Sequence, residues 1–459
     1  MEQTMAPKIF KAYDIRGVYG EELDEGLAYL IGRAAAMMMI RKQSTDRTAK
    51  VLVGRDMRTS SIPLRDALVR GIRDQGVDVV DIGLCSTPMF YWATQGYEAG
   101  VMVTASHNPA KYNGFKMCKD GAFPVGEISG MKDIERMVFE QDFPSADRHG
   151  DYEEREVLDA FIAFNMSFLK TDRPFKVVID AGNGMGGYVY EALRKRLPPQ
   201  VHIIPMYFEP DGTFPNHEAN PLKAETCKEL QERVVLENAD LGVALDGDED
   251  RVFFIDNKGE YVPADFTTAL IAEQVLDEKP GATILYGICQ SRVAREEIER
   301  HGGKAIMNRV GHAFYKIGMV EHKAAWGGEH SGHFFNSEQQ NSENTQIIFF
   351  RMLNLLAEKD SSLSEMLKPL KRYAKIHETN FEVQDAKGII AKLQEEYVPS
   401  AREHTTMDGL RMDFDDWWFC VRSSNTEPLL RLNMEAKDKV MLDAKLTELS
   451  AKIGGKIHG

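Results

Sequence analysis

The sequence predicts three similar α/β domains with mixed, mostly parallel sheets, followed by a C-terminal α+β domain, set around a central cleft. Three observations predict it. The chain has 459 residues, against roughly 150 for a common domain. Three stretches repeat one order of elements: strand, helix, strand, helix, and a third strand that runs into a polar loop. The final stretch abandons that order. The expected boundaries are 1–153, 154–260, 261–370 and 371–459.

In the first unit the strands read KVLVG (50–54), VDVVDIG (77–83) and GVMVTA (100–105). In the second they read KVVIDA (176–181), VHIIPMYF (201–208) and LGVALD (241–246). In the third they read ATILYG (282–287), KAIMNRV (304–310) and KAAWGG (323–328). Strands alternating with helices imply parallel βαβ units with buried strands. Identity between the units is slight, so the repeat lies in the order of elements. Ahead of the first strand, Leu27, Leu30, Ile31, Ala34 and Met38 recur at helical spacing. In the last stretch KIHETNFEV alternates like a half-exposed strand and KGIIAKLQEEYV is helical. LRMDF and WFCVR then form an antiparallel pair, and LLRLNMEA and an amphipathic helix close the chain.

The most unusual polar loop of each α/β unit follows its third strand: TASHNP at 104–109, DGDEDR at 246–251 and GEHSGH at 328–333. Ligands of parallel sheets bind beyond the carboxyl ends of strands. Equivalent placement lets three loops face one cleft. The last domain offers RSSNTEP at 422–428, also directly after a strand.

TASHNP carries the hydroxyl of Ser106, the imidazole of His107 and the carboxamide of Asn108. Pro109 restricts Asn108 and turns the chain out of the sheet. On these residues alone, a turn in which Ser106 and Asn108 cap the next segment explains the loop as well as a reactive site does. No GxSxG elbow accompanies it, so hydrolase chemistry has no support. DGDEDR is more specific. Asp246, Asp248 and Asp250 alternate, and three carboxylates this close repel unless a hard divalent cation gathers them. An EF-hand needs Gly at its sixth position and Glu at its twelfth, where this chain has Arg251 and Asn257. Three carboxylates leave room for phosphate oxygen on Mg²⁺, and Arg251 adds a bidentate phosphate donor.

RSSNTEP supplies Arg422, Ser423, Ser424, Asn425 and Thr426, with Arg431 in the following strand. A guanidinium, hydroxyls and loop amides make a phosphate cradle. Glu329, Ser331 and His333 of GEHSGH suit sugar hydroxyls. FKAYDIRG adds Tyr13 and Arg16, and YNGFK adds Lys116. Gly182, Gly184 and Gly187 match GxGxxG after a strand, with Glu209 about twenty residues on. A dinucleotide site there would leave DGDEDR and TASHNP without a purpose.

Composition narrows the classes further. Apolar residues are 43% and charged residues 28%, as in globular proteins. The net charge of −15 argues against nucleic acid as partner, while a cleft lined by a few Arg and Lys still takes a small anion. Cys85, Cys118, Cys227, Cys289 and Cys420 are scattered and contain no CxxC, which reads as reduced thiols of a cytoplasmic protein. No signal peptide is recognised, and no apolar run reaches the ~18 residues of a membrane span.

Taken together, FKAYDIRG, TASHNP, YNGFK, DGDEDR, GEHSGH and RSSNTEP, with DGTFPNHEANP at 211–221 and VGHAF at 310–314, resemble the α-D-phosphohexomutase family across essentially the whole chain. The resemblance implies three α/β domains and one α+β domain around a deep cleft. It implies that Ser106 carries the phosphoryl group, with His107 beside it. Asp246, Asp248 and Asp250 would hold Mg²⁺ together with that phosphoserine. Glu329, Ser331 and His333 would read the sugar, and Arg422, Ser424, Asn425, Thr426 and Arg431 would grip the second phosphate. Tyr13, Arg16, Lys116, Arg251 and His312 match further active-site positions; of these, Lys116, His312 and Arg16 are all candidates for proton transfer.

The implied reaction interconverts hexose 6- and 1-phosphates through a hexose 1,6-bisphosphate. His330 in the third loop resembles the phosphomannomutase and phosphoglucomutase branch, where the glucosamine branch tends to show Gln. That favours mannose and glucose phosphates over the alternative, glucosamine phosphate. A metal-dependent sugar phosphatase and a non-catalytic sugar-phosphate binder are further alternatives. A monomer and a dimer are both compatible with the sequence. One departure stands out: many relatives have a lysine where GICQSR places Cys289.

Overall fold

The repeated strand-helix order closes into three mixed sheets, and the final stretch makes a fourth. The computed structural model describes residues 9–40, 49–376, 378–423 and 429–458. In the first sheet Lys50–Arg55 pairs in parallel with Asp78–Leu84 on one side and Ala99–Val103 on the other. In the second, Phe175–Asp180 takes the same central place between Val201–Met206 and Leu241–Leu245. In the third it is Thr283–Gly287, between Lys304–Asn308 and Trp326–Gly328. These strands are rich in Val, Ile and Leu because helices cover both faces of a parallel sheet.

Each third strand then meets an antiparallel partner: Tyr112–Lys119, Val252–Asp256 and Phe334–Asn336 respectively. The three polar loops are therefore the connections of three equivalent antiparallel pairs, all at the carboxyl ends of parallel strands. Their common setting follows from topology alone.

Helix Glu25–Ile40 packs against helix Ser61–Asp74 over the first sheet. Two glycines make the contact close. A Cβ at Gly32 would lie 2.2 Å from the Leu68 carbonyl oxygen, and one at Gly71 would lie 2.1 Å from that of Tyr29. Neither position admits a larger side chain without separating the helices.

The fourth sheet is antiparallel. Leu410–Asp413, Trp417–Ser423 and Leu429–Ala436 pair in sequence, and helices Ala386–Tyr397 and Lys439–Ile453 pack against the sheet. The alternating run expected at KIHETNFEV is split into Ala374–Lys375 and Thr379–Glu382, both on the strand Leu429–Ala436. His377 between them lies outside the described residues. The strand expected from Lys323 begins only at Trp326, because Lys323 adopts φ +48° and ends the preceding helical segment.

All five cysteines are free and buried. Among the described residues no helix is long and apolar enough to cross a membrane.

Candidate active site

Ser106 sits in the connection between Ala99–Val103 and Tyr112–Lys119, buried, with φ +50°. A left-handed serine persists only where its surroundings over-determine it. Here they do. Its N–H donates to Thr104 Oγ1 at 3.0 Å, and its carbonyl accepts from Arg58 Nη2 at 2.8 Å. Its Oγ lies 2.9 Å from Asp246 Oδ2 and 3.1 Å from His107 Nδ1. Burial, then the charges of Arg251 and Arg16, push His107 well below the usual imidazole range. Arg16 reaches the same loop, donating from Nη1 to Asn108 Oδ1 at 2.6 Å.

The acidic loop approaches Ser106 through Gly247. A Cβ there would stand 2.5 Å from the Ser106 carbonyl oxygen. Gly247→Ala is therefore expected to push the two loops apart. It should lower kcat by about 10- to 10²-fold, since misplacing reacting groups by 1 Å costs on that order. The melting temperature should fall only modestly. Steady-state kinetics beside a thermal melt checks this, and an unchanged kcat would contradict it.

Asp246, Asp248 and Asp250 are all buried, with oxygen atoms within 4.8 Å of one another. Lys116, from the strand that follows the serine loop, inserts its ammonium between two of them. Nζ lies 2.6 Å from Asp248 Oδ2 and also bonds Asp250 Oδ2. Thr87 Oγ1 donates to Asp248 Oδ2 at 2.7 Å. Burial alone penalises every charge here. It, together with Asp250 and Asp248, raises the Asp246 carboxyl well above its ordinary range. Asp250 goes the other way, because Lys116 and His333 outweigh burial.

This donor set fits a hard divalent cation. Three carboxylates converge, a hydroxyl stands beside one of them, and buried Asp248 Oδ1 has no hydrogen-bond partner. Glu249, the fourth acid of the loop, turns away. At φ +67° it faces Thr345 Oγ1 at 3.3 Å and accepts from Gln346, and burial pushes its carboxyl up to about 8.

The third loop is joined to the second by backbone. Val252 N–H donates to the Gly332 carbonyl at 3.0 Å, and Arg251 and His333 form a bridge. Arg251 Nε then lies 3.3 Å from His333 Nε2, itself 3.2 Å from Asp250 Oδ1. His333 Nδ1 faces Ser331 Oγ at 2.9 Å and Glu329 Oε2 at 3.0 Å. Despite burial, Asp250 and Glu329 raise His333 to about 9.

Glu329 also holds the loop that precedes helix His312–Glu321, accepting from Gly311 N–H at 2.8 Å. Tyr13 closes this corner. Its hydroxyl donates to the Val310 carbonyl at 3.2 Å, and its ring lies 5.8 Å from that of His312. Burial, with Lys116 and Lys316 nearby, keeps His312 well below the imidazole range.

The fourth sheet joins through Asp408, which accepts from Val310 N–H at 3.1 Å and from Arg422 Nε at 3.0 Å. Arg431 is the cross-strand partner of Arg422 and reaches Glu378 at 3.4 Å. The two guanidiniums stand on facing residues of the pair, each beside a carboxylate of its own. Ser424, Asn425 and Thr426 lie outside the described residues.

Sequence reading missed Arg58, Thr87 and Asp408, which act on other site groups rather than forming a motif. It also missed the buried pair Lys316 and Glu343, 3.0 Å apart. Cys289 supplies no cation to the cleft. It is buried with Ile288, Trp418 and Cys420, with its Sγ 3.9 Å from that of Cys420. The GxGxxG stretch is filled by the protein's own chain. Met185 N–H binds the Gly247 carbonyl at 2.8 Å, and a Cβ at Gly187 would lie 1.9 Å from the Phe208 carbonyl oxygen. Gly184 seats the acidic loop, since a Cβ there would lie 2.8 Å from the Gly247 carbonyl oxygen.

Comparison with known proteins agrees with this order of domains. Four models of phosphoglucomutase/phosphomannomutase domains match in order: alpha/beta/alpha domain I at 7–145, domain II at 156–259, domain III at 263–373, and the C-terminal domain at 378–449. A phosphomannomutase of Escherichia coli is 36% identical, covering 96% of this chain and 98% of its own. A protein named phosphohexose mutases from Xanthomonas campestris is 35% identical, covering 97% and 99%. The crystal structure of a phosphoglucomutase/phosphomannomutase family protein from Burkholderia thailandensis superposes with a TM-score of 0.89 at 31% identity, covering 98% of both chains.

Proposed function

The chain belongs to the phosphoglucomutase/phosphomannomutase family of α-D-phosphohexomutases and is an intramolecular phosphotransferase; from this we propose that it interconverts mannose 6-phosphate and mannose 1-phosphate, and glucose phosphates as well, through phosphoserine 106 and a hexose 1,6-bisphosphate. The observation that carries this reading is Ser106 Oγ, 2.9 Å from Asp246 within a buried three-carboxylate cluster. The printed name of the phosphomannomutase relatives supports mannose phosphate as a substrate, as does His330 in the third loop. Cytoplasmic location fits the five free thiols.

Ser106 gives its phosphoryl group to the free hydroxyl of a bound hexose phosphate. The resulting bisphosphate turns over in the cleft and returns its other phosphate to Ser106. Asp246, Asp248 and Asp250 would hold Mg²⁺, whose chemistry is to neutralise charge on the transferring phosphoryl oxygens. Arg251 and Lys116 add positive charge beside the same oxygens. Lys116, His312 and Arg16 are the alternative candidates for taking the hydroxyl proton, and His107 sits against Ser106 Oγ. Glu329, Ser331 and His333 bind sugar hydroxyls, with Tyr13 walling the cleft. Arg422 and Arg431, with Ser424, Asn425 and Thr426, hold the phosphate that is not transferring.

The four domains bounded at 1–153, 154–260, 261–370 and 371–459 each supply one loop. The test is a coupled assay with mannose 1-phosphate, glucose 1-phosphate and glucosamine 1-phosphate, with and without Mg²⁺ and hexose 1,6-bisphosphate. Turnover of the first two should exceed that of the third by about tenfold or more, the scale of a site built around specific hydroxyl contacts. Equal or faster turnover of glucosamine 1-phosphate would reverse the substrate assignment.

A further inference from the structure

The serine loop is anchored from beneath by one cation. Arg58 follows the first-sheet strand Lys50–Arg55, and its side chain is fully buried. Its guanidinium makes four hydrogen bonds, all to main-chain carbonyls of the serine loop and of Tyr112, where the return strand begins. Nη2 donates to Ser106 at 2.8 Å and Asn108 at 2.6 Å; Nη1 donates to Pro109 at 2.9 Å and Tyr112 at 3.0 Å. Nε is 3.2 Å from Asp56 Oδ2. Asp56 is fixed in turn, with Oδ1 accepting from Arg58 N–H at 3.0 Å and Ser61 Oγ at 2.5 Å. On the far side Phe214, from the second unit, lies 5.1 Å from the guanidinium carbon, and a Cβ at Gly212 would come within 2.5 Å of Arg58 Cα.

Burying an arginine is costly, and a loop that needed only to be covered would be served by apolar residues. What the guanidinium adds is a rigid planar fork of donors. Held carbonyls fix peptide planes, and a trans peptide points its N–H opposite to its C=O. The bond from Arg58 to the Ser106 carbonyl thus sets the plane of the 106–107 peptide and turns the His107 N–H away from Arg58, while the Ser106 N–H bond to Thr104 Oγ1 holds the peptide on the other side of the φ +50° residue. The clamped backbone fixes where the Ser106 Cα–Cβ bond stands, and from there Oγ reaches Asp246 Oδ2 at 2.9 Å.

We propose that Arg58, braced by Asp56, is the positioning residue that places Ser106 Oγ at the carboxylate cluster; it acts through the main chain of the serine loop, with its hydrogen bonds going to carbonyls and not to Asp246, Asp248 or Asp250. The inference rests on Ser106 being the phosphorylated residue.

The test compares wild type, R58K and D56N. Each protein is treated with hexose 1,6-bisphosphate, and the single-turnover rate of Ser106 phosphorylation is read by peptide mass. Steady-state kcat and KM and the thermal midpoint are measured alongside. Lysine keeps the charge but not the fork. R58K should therefore phosphorylate Ser106 and turn over about 10²-fold more slowly, the scale of a 1 Å misplacement, with KM within about twofold because the substrate contacts are intact. D56N keeps the fork and loosens its brace; it should fall in kcat by about tenfold in the same direction. It also serves where R58K does not fold. A wild-type phosphorylation rate in folded R58K, or in D56N where R58K does not fold, overturns the positioning role. So does a loss confined to the thermal midpoint. Wild type that acquires no phosphate on Ser106 overturns the phosphoserine reading and the inference together.

Discussion

Ser106→Ala is expected to abolish mutase turnover. In the proposed mechanism Ser106 Oγ carries the phosphoryl group between the two ends of the sugar, so its loss removes the covalent path. The fall should be on the order of 10⁴-fold or more, the scale on which enzymes lose a nucleophile, or roughly 5.5 kcal/mol of barrier. KM for the sugar phosphate should change little, because Arg251, Glu329 and Arg422 are untouched. Removing Oγ also frees Asp246 Oδ2, which lies 2.9 Å away, so a melt on the same preparation separates loss of chemistry from loss of fold. The assay follows glucose 1-phosphate to glucose 6-phosphate. Substantial turnover in the alanine variant would mean that another group carries phosphate.

The second large effect is that of the cation. Stripping divalent ions with a chelator should silence the enzyme, and restoring Mg²⁺ should revive it. Asp248→Asn removes one charge from the cluster while keeping an oxygen for the Thr87 hydroxyl, 2.7 Å from Asp248 Oδ2. It should lower kcat/KM by about 10²- to 10³-fold, the range seen when one electrostatic contact to a transition state is lost. It should also move the Mg²⁺ dependence to higher concentration. The Asp248 Oδ1 atom, buried and without a hydrogen-bond partner, is the feature this variant probes. Full activity in the chelated wild type would remove the metal from the reaction.

The acidic loop was legible in the sequence because its chemistry and its setting are local; for the serine loop only the setting was, since its residues alone fit a capping turn equally well. DGDEDR places three carboxylates within five residues, and each polar loop follows a strand whose Val and Ile content marks it as buried. The α/β order and the antiparallel fourth sheet were legible for the same reason. The antiparallel return strands were harder to see, since Phe334–Asn336 is only three residues long.

What sequence reading could not supply are contacts made across the chain to the main chain itself. Arg58 binds carbonyls about fifty residues away, and carbonyls leave no trace in residue type. The only local cue was a charged stretch, VGRDMR, directly after a buried strand. Thr87 and Asp248 are 161 positions apart, and Asp408 and Val310 are 98 apart. Nothing in either segment names the other. The GxGxxG stretch is the reverse case, a motif whose glycines admit close backbone packing, Gly184 against Gly247 and Gly187 against Phe208, rather than a dinucleotide.

Phosphate on Ser106 is the most direct thing to measure. Protein incubated with hexose 1,6-bisphosphate and Mg²⁺ and digested should yield a Ser106 peptide heavier by one phosphoryl group. Adding mannose 1-phosphate should then discharge that peptide and produce bisphosphate. A peptide that stays unmodified, or one that discharges to inorganic phosphate instead of to sugar, would contradict a phosphoserine mutase.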